Sequence, residues 1–216
     1  MQTKIVPVRD WIFVDPPKPQ FNLRPLKPAH YGLAKIDPPW AFKTFSQTGK
    51  GKSAEQHYDC MVLSDIFKMT IADLAHPDGM WVWLYITAPM LLEALDCFKN
   101  WGVKYVTQGV WVKMTKDNSR PTFGTGYALR NCHEPFLIGK IGKPKIHDKG
   151  IRSAILEPRR EHSRKPEQGY AYAARMAGAY PKADIFARQQ RPGWDAWGNE
   201  VSKFDNDNIQ QAEIAA

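Results

Sequence analysis

Two adjacent prolines, Pro38 and Pro39, stop a short apolar run at residues 33–36. Proline fixes its own φ angle, lacks a backbone N–H and drives the preceding residue to an extended conformation. A run of four to six apolar residues that ends so abruptly is typical of a buried parallel strand. The tetrapeptide Asp37-Pro38-Pro39-Trp40 is therefore predicted to form a rigid, non-helical corner at the carboxyl end of a strand. In open α/β sheets, ligands bind on that side.

The corner carries a carboxylate, a carbonyl and an indole that together suit one reaction. The exocyclic amine of a nucleobase is a poor nucleophile, because its lone pair is delocalised into the ring. The carboxylate of Asp37 and the carbonyl of Pro38 can each accept one N–H of that amine, which aims the lone pair at an electrophile. Trp40 would offer a flat face on which an extruded base stacks. A tight turn without catalytic function is the alternative.

A second Asp-Pro-Pro tripeptide, at residues 15–17, offers no aromatic platform because Lys18 follows it. We interpret the surrounding proline-rich residues, 1–32, as an extended N-terminal arm. Residues 33–204 are predicted to form a single domain, since a domain typically has about 150 residues. Residues 205–216 are polar and are predicted to form a frayed tail.

Beyond the corner, the apolar pattern switches between strand-like and helix-like segments. Helices are predicted from an N-cap at Ser64 to about residue 75, from Thr87 to residue 101, and from about Pro166 onward. The predicted strands cover residues 80–86, 105–112, 134–139, 151–156 and 183–187, and residues 188–199 are predicted to be a loop. This alternation predicts a Rossmann-like α/β sheet with crossover helices.

The formal net charge of +8 and the pI near 9.3 favour a polyanionic partner, usually nucleic acid. A basic protein without such a partner is the alternative. Many basic side chains gather in segments predicted to be loops, and four of them are assigned to the substrate: Lys50, Lys52, Lys116 and Arg120. We expect these four side chains to contact phosphates.

The same composition argues against several other classes of protein. No run of apolar residues approaches the ~18 of a membrane span, and the N-terminus lacks the pattern of a signal peptide. The three cysteines are scattered, which favours a reducing, cytoplasmic setting without disulfides. No two of them form a Cys-x-x-Cys pair, so a structural zinc site is not expected.

Several short motifs occur in one order along most of the domain. They are the corner, His57-Tyr58, Gly124-x-Gly126 with Glu134 eight residues on, His162-Ser163-x-Lys165-Pro166, Phe186-x-Arg188 and Gly198-Asn199. In this order, over roughly residues 33–202, they resemble the MT-A70 family of adenine-N6 methyltransferases. A short chain of this kind looks more like a DNA-modifying enzyme of bacteria or phages than an RNA-modifying one.

This resemblance implies the fold, the cofactor and the order of the motifs. The expected fold is a Rossmann-like α/β methyltransferase domain with a mostly parallel sheet and helices on both faces. The expected cofactor is S-adenosylmethionine, and the motif order is permuted, with the corner ahead of the cofactor-binding strand. Because the methyl group of this donor is already activated, no metal and no covalent enzyme intermediate is expected.

The resemblance also implies roles for individual residues. Asp37 and the Pro38 carbonyl would hold the target amine next to Pro39, with Trp40 beside the base and Tyr58 lining the substrate side. The cofactor would be held by these residues: Asp37, Lys165, Phe186, Arg188, Asn199 and Glu200. Glu134 would be either structural or substrate-facing.

The sequence departs from the family pattern at two positions, and three alternative functions are left open. Ala187 stands where the family commonly has glycine, and Gln190 lies in an unusual stretch as a candidate ribose ligand. The alternatives are an RNA adenine-N6 methyltransferase, a cytosine-N4 DNA methyltransferase and a catalytically silent nucleic-acid-binding subunit. The recognition sequence and the oligomeric state are left open, with a homodimer among the options.

Overall fold

The computed structural model of the chain describes residues 23–40, 61–124, 126, 128–161 and 163–205. The seven strands within these ranges are β1 (Leu33–Ile36), β2 (Met80–Tyr85), β3 (Lys104–Met114), β4 (His133–Ile141), β5 (Ala154–Pro158), β6 (Lys182–Ile185) and β7 (Trp194–Trp197). The α-helices there are α1 (Leu63–Phe67), α2 (Leu91–Asn100) and α3 (Glu167–Ala177). Short 3₁₀ helices cover Ile71–Leu74 and Ala88–Met90.

The strands form one sheet in the order β5-β3-β4-β2-β1-β6-β7. Four of the six neighbouring pairs are parallel, and β4 runs antiparallel to both β2 and β3. The central strands β1 and β2 are buried along their whole length, as expected for strands that are covered on both faces. The predicted α/β fold with a mostly parallel sheet is therefore confirmed.

Helices cover both faces of this sheet, also as predicted. Successive residues of β1 alternate between the faces, so Ala34 and Ile36 join one core cluster and Leu33 joins the other. The first cluster includes buried residues of α1 and α2. The second includes three buried residues of α3. Neither set of helices could bury its apolar side without the sheet between them.

The local structure differs from the sequence-based prediction most clearly at β7 and around α1. Residues 194–197, predicted to be loop, form the parallel edge strand β7 beside β6. The helix predicted from Ser64 to residue 75 is split, because α1 ends at Phe67 and a 3₁₀ helix follows at Ile71–Leu74. Val62 rather than Ser64 occupies the N-cap position of α1. Each element is short enough for tertiary contacts to override the local signal.

Residues 23–32, which the sequence analysis assigned to the N-terminal arm, pack against the domain. Leu23 and Leu26 are buried in the first core cluster, and Tyr31 forms a bridge with Ala75. The packed region thus begins upstream of β1. Within the described ranges, no helix has the length and apolar character needed to cross a membrane.

Candidate active site

The corner lies at the carboxyl end of β1, between the parallel neighbours β2 and β6. The backbone N–H of Asp37 continues the ladder by donating to the carbonyl of Ile185 at 3.2 Å. The chain then turns sharply, because the N–H of Trp40 donates back to the Pro38 carbonyl at 2.8 Å. The polypeptide proceeds from β1 to β2 on one side, whereas β6 flanks the other side, so the corner lies where the strand order reverses.

Trp40 occupies a different position from the one expected of a stacking platform. Its side chain is only 3% exposed and belongs to the first core cluster. The indole N–H donates to the carbonyl of Tyr85 at 3.1 Å, which ties the corner to the end of β2. The tight turn at Pro38 directs the ring into the core. In this structure Trp40 therefore packs and anchors the corner, and its indole face is not open to a base.

Four charged side chains of alternating sign form a continuous chain that begins at the corner. The ammonium of Lys165 lies 2.8 Å from a carboxylate oxygen of Asp37 and 2.8 Å from one of Glu134. The other carboxylate oxygen of Glu134 lies 2.8 Å from the ammonium of Lys113. We call Asp37, Lys165, Glu134 and Lys113 the charge chain. Its members come from four separate segments of the sequence, and Lys165 and Glu134 are largely buried.

Burial and ion pairing act in opposite directions on these groups, and ion pairing prevails. Burial alone would lower the pKa of Lys165, but Asp37 and Glu134 raise it above its ordinary value. Burial alone would raise the pKa of Glu134, but Lys165 and Lys113 lower it to about 2. Lys165 and Glu134 are therefore charged near neutral pH, and Lys165 is held against Asp37.

A second buried network lies beside the charge chain. Lys35, opposite Asp184 in the β1–β6 register, forms an ion pair with it at 3.3 Å. The hydroxyl of Tyr170 donates to the second carboxylate oxygen of Asp184 at 2.9 Å. The Lys35 ammonium lies 3.9 Å from the centre of the Tyr170 ring. Burial lowers the pKa of Lys35, and the carboxylates of Asp184 and Asp37 oppose that shift. The network anchors α3, which carries Tyr170, to β1 and β6.

A cleft opens between the corner and the segment that follows β6. Its lining combines charged and aromatic side chains: Lys35, Asp37, Ser163, Arg164, Lys165, Tyr170, Asp184, Phe186, Arg188, Gln189, Arg191 and Phe204. Its volume is about 20 Å³, which is room for one or two water molecules. Phe204 and Arg164 help to close it, because the guanidinium lies 5.1 Å from the centre of the Phe204 ring.

The backbone of the cleft is strained at two points. Ser163 and Phe186 have φ angles of 66° and 64°, in the left-handed region that residues with side chains rarely adopt. Such conformations cost of order 1–3 kcal/mol each and cluster at ligand-binding sites. The backbone of Phe186 is closely approached from the other side, since a Cβ atom on Gly198 would lie 3.0 Å from its Cα. Glycine is therefore favoured at position 198, where φ is 152° and a side chain would be strained.

The structure brings some of the expected cofactor residues together and leaves others apart. Lys165, Phe186 and Arg188 line the cleft with Asp37. Glu200 reaches it indirectly, through a contact of 3.2 Å with the guanidinium of Arg188.

The remaining two cofactor candidates lie outside the cleft lining. Asn199 is exposed in the turn after Gly198. Gln190 is exposed and lines a separate groove of about 630 Å³ beside β7, while its neighbour Gln189 is buried in the cleft. A shift of one residue in this loop would place Gln190 instead of Gln189 in the cleft. No local pattern in the sequence fixes which of the two glutamines lies there.

The substrate candidates are also divided. Lys116 and Arg120 are exposed in the connection between β3 and β4, away from the cleft lining. Lys50, Lys52 and Tyr58 lie outside the described residues. Glu134, whose role the sequence left open between structural and substrate-facing, pairs with both lysines of the charge chain.

Sequence reasoning did not assign a site role to Lys35 or Lys113. A signal for Lys35 existed, because it is a single charged residue within an apolar run. Lys113 carried no comparable signal.

The chain and its site can be compared with known proteins. A protein-family model described as MT-A70 matches residues 31–200. The chain belongs to the MT-A70 family. Enzymes of the MT-A70 family use S-adenosylmethionine as the methyl donor, so the expected family and cofactor are both confirmed.

Individual relatives of this family cover the chain to different extents. The putative N(6)-adenosine-methyltransferase MT-A70-like of Medicago truncatula is 27% identical over 80% of this chain, but only 26% of its own length is covered. The human N(6)-adenosine-methyltransferase catalytic subunit METTL3 is 24% identical over 79% of this chain and 28% of its own. The type II methyltransferase M.MunI of Mycoplasma sp is 26% identical over 85% of this chain and 83% of its own. The chain thus spans about a quarter of the plant relative and most of the Mycoplasma protein.

The residues of the cleft fit the methionine end of S-adenosylmethionine by charge. That end carries an ammonium and a carboxylate. Asp37 supplies an anionic acceptor, and Lys165 has three N–H donors, of which Asp37 and Glu134 take two. The remaining donor can serve a carboxylate. The cleft is small, so lining side chains such as Phe204 would have to move for a donor to enter it.

Proposed function

We propose that this protein transfers a methyl group from S-adenosylmethionine to the N6 amine of adenine in nucleic acid, with DNA as the substrate rather than RNA. The observation that carries the proposal is the position of Asp37. Its carboxylate lies at the carboxyl end of a central strand, in a cleft, next to a carbonyl that the two prolines fix in place. Lys165 holds this carboxylate in one orientation at 2.8 Å.

The corner has the acceptors that a primary amine on a base needs. Asp37 can accept one N–H of the amine. The Pro38 oxygen accepts the N–H of Trp40 at 2.8 Å and keeps a second lone pair, which can accept the other N–H. Pro39 keeps the geometry rigid, and Trp40 anchors it through Tyr85. Catalysis in this proposal rests on positioning and on preorganised polar groups.

The donor would be held on the other side of Asp37. Lys165, Arg188 and Phe186 line the cleft there, and Glu200 orients Arg188. Once bound, S-adenosylmethionine supplies a sulfonium methyl group as the electrophile. The chain's own residues would bind it, exclude water and hold Asp37 beside the methyl group, so that an amine bound to Asp37 faces that methyl group directly. Contacts of Asn199 and Gln190 with the ribose or adenine of the donor remain a prediction.

The extent of the match to M.MunI supports DNA over RNA. The type II methyltransferase M.MunI is similar over most of both chains, whereas the relatives named as N(6)-adenosine-methyltransferases extend far beyond the matched region. The formal charge of +8 suits a polyanionic substrate in either case. We also expect a cytoplasmic location, and we expect light scattering to decide whether a homodimer forms.

The test is incubation with isotope-labelled S-adenosylmethionine and either duplex DNA or RNA, followed by nucleoside analysis. We expect label in N6-methyladenine from DNA. Label only in RNA would support the RNA alternative, and N4-methylcytosine would support the cytosine alternative. Calorimetric titration with the donor tests the alternative of a catalytically silent subunit. Such a subunit would bind no S-adenosylmethionine at physiological concentration.

Asp37 is the residue whose replacement tests the mechanism. We expect Asp37→Ala to lose at least 100-fold in turnover, since one preorganised polar group contributes about 10²–10³-fold. Donor binding should largely survive, because Lys165 and Arg188 remain. Leu92→Ala, on the exposed side of α2, is the matched surface control. Full activity of Asp37→Ala would refute the assignment.

A further inference from the structure

Among its described residues, the connection between β3 and β4, residues 115–132, carries two apolar side chains that are almost completely exposed. Phe123 and Leu129 have 82% and 84% of their surface in solvent, more than any other large hydrophobic residue of the described ranges. Exposure of these apolar side chains to water is unfavourable, and the monomer does not bury them. A partner that covers these side chains would recover it.

The first half of the connection is a closed turn. Pro121 forms an antiparallel bridge with Met114, and the N–H of Thr115 donates to the Arg120 carbonyl at 2.9 Å. Asp117, the one acidic residue of the connection, is exposed and accepts hydrogen bonds from Thr115 and Ser119. This turn is therefore a fixed base for the second half of the connection.

The second half folds back on itself just as closely. A Cβ atom on Gly124 would collide with the Asn131 carbonyl oxygen, and one on Gly126 would collide with that of Leu129. Only glycine permits these approaches. We call the described residues 123, 124, 126 and 128–131 the tip, on which the side chains of Phe123 and Leu129 are exposed.

The tip is attached directly to the charge chain. The N–H of Thr122 donates to the Lys113 carbonyl at 2.7 Å, and the N–H of Lys113 donates to the Cys132 carbonyl at 2.8 Å. The side chain of Lys113 pairs with Glu134, which in turn contacts Lys165 beside Asp37. The tip is therefore joined to the same framework that positions the corner.

The charge around the tip indicates the class of partner. Three basic side chains, Lys116, Arg120 and Arg130, are exposed within the connection. The guanidinium of Arg130 lies 5.3 Å from the centre of the Phe123 ring. Apolar side chains flanked by cations match a nucleic acid, in which stacked bases lie between phosphates. A protein partner would require no such cationic frame.

We propose that Phe123 and Leu129 form a wedge that enters the base stack of the duplex substrate beside the target adenine, with Lys116, Arg120 and Arg130 on the flanking phosphates. This rests on the proposed function, because the wedge serves to open the stack from which the adenine is extruded. Extrusion costs unstacking free energy, and an inserted apolar side chain offsets part of it. The corner can then receive the base.

The test compares Phe123→Ala and Leu129→Ala with Leu92→Ala, another largely exposed leucine. Binding to fluorescein-labelled 30-base-pair DNA of random sequence is measured by anisotropy without methyl donor. We expect Kd to rise by about 5- to 150-fold for Phe123→Ala, which corresponds to about 1–3 kcal/mol at 1.4 kcal/mol per tenfold change. Phe123→Trp should restore binding.

Two outcomes would overturn the wedge. One is a Kd within twofold of that of Leu92→Ala for both alanine variants. The other is an equal loss on single-stranded DNA of the same length, because only a duplex has a stack to open. Since the assay needs no donor, it reports on the wedge even if wild-type protein transfers no methyl group. That separate result would refute the proposed function instead.

Discussion

Replacing Glu134 by Gln removes one negative charge from the centre of the charge chain and keeps the shape of the side chain. In the folded protein the carboxylate lies 2.8 Å from both Lys113 and Lys165, and it is 13% exposed. Its pKa is about 2, against an ordinary value of 4.5. The difference of about 2.5 units, at 1.36 kcal/mol per unit, makes the ionised group worth about 3 kcal/mol of folding free energy.

The sign of this linkage sets the pH dependence. Because the folded pKa of Glu134 is depressed, its contribution is fully present above about pH 4.5 and is lost as the pH falls through about 2. We expect Glu134→Gln to lower the free energy of unfolding by about 3 kcal/mol at pH 7. By pH 3 the difference should shrink to about 1 kcal/mol.

Urea denaturation of wild type and variant at pH 7, 5, 4 and 3 measures these differences. Glu161→Gln is the matched control, because its carboxylate pairs with Arg164 at 3.2 Å but is 56% exposed. The control should lose less than about 1 kcal/mol. A loss for Glu134→Gln below about 1 kcal/mol at pH 7, or a loss that stays constant down to pH 3, would show that the two lysines do not stabilise the carboxylate.

Two further predictions concern the helix that follows Lys165. Gly169→Ala should destabilise the protein by about 1–2 kcal/mol despite alanine's better helix propensity, because the new Cβ would lie 2.5 Å from the Tyr85 hydroxyl. Thermal unfolding should show recovery in the double variant with Tyr85→Phe, and no recovery would place the clash elsewhere. Glu157→Ala should cost about 1 kcal/mol by the same measurement, because this carboxylate accepts the N–H groups of Glu167 and Gln168 at 3.1 and 3.0 Å and so caps the helix. An unchanged melting temperature of Glu157→Ala would show that this carboxylate does not cap α3.

Local rules were sufficient wherever the signal was contained in a short segment. Two prolines after an apolar run predicted a corner at a strand end, and β1 does end at Ile36. Whole-strand burial could be predicted for β2 because its residues are almost all apolar. The ordered motifs also predicted the family, which the match over residues 31–200 confirmed.

Local rules failed where a side chain's environment came from distant segments. Trp40 has the sequence context of an exposed platform, yet the turn at Pro38 and the carbonyl of Tyr85 place its ring in the core. The strand β7 was predicted to be loop, because an edge strand of four residues forms only when β6 is there to pair with it.

The sequence by itself determined the alternation of strands and helices, the rigid corner and the basic charge, since each depends on neighbouring residues or on composition. Only the tertiary structure joined Asp37, Lys165, Glu134 and Lys113 into one charge chain. The reason is physical: a lysine in isolation is a solvated cation wherever it occurs. Its partner is fixed only when the sheet and α3 bring the oppositely charged atoms of residues 37, 113, 134 and 165 to contacts of 2.8 Å and exclude the water between them.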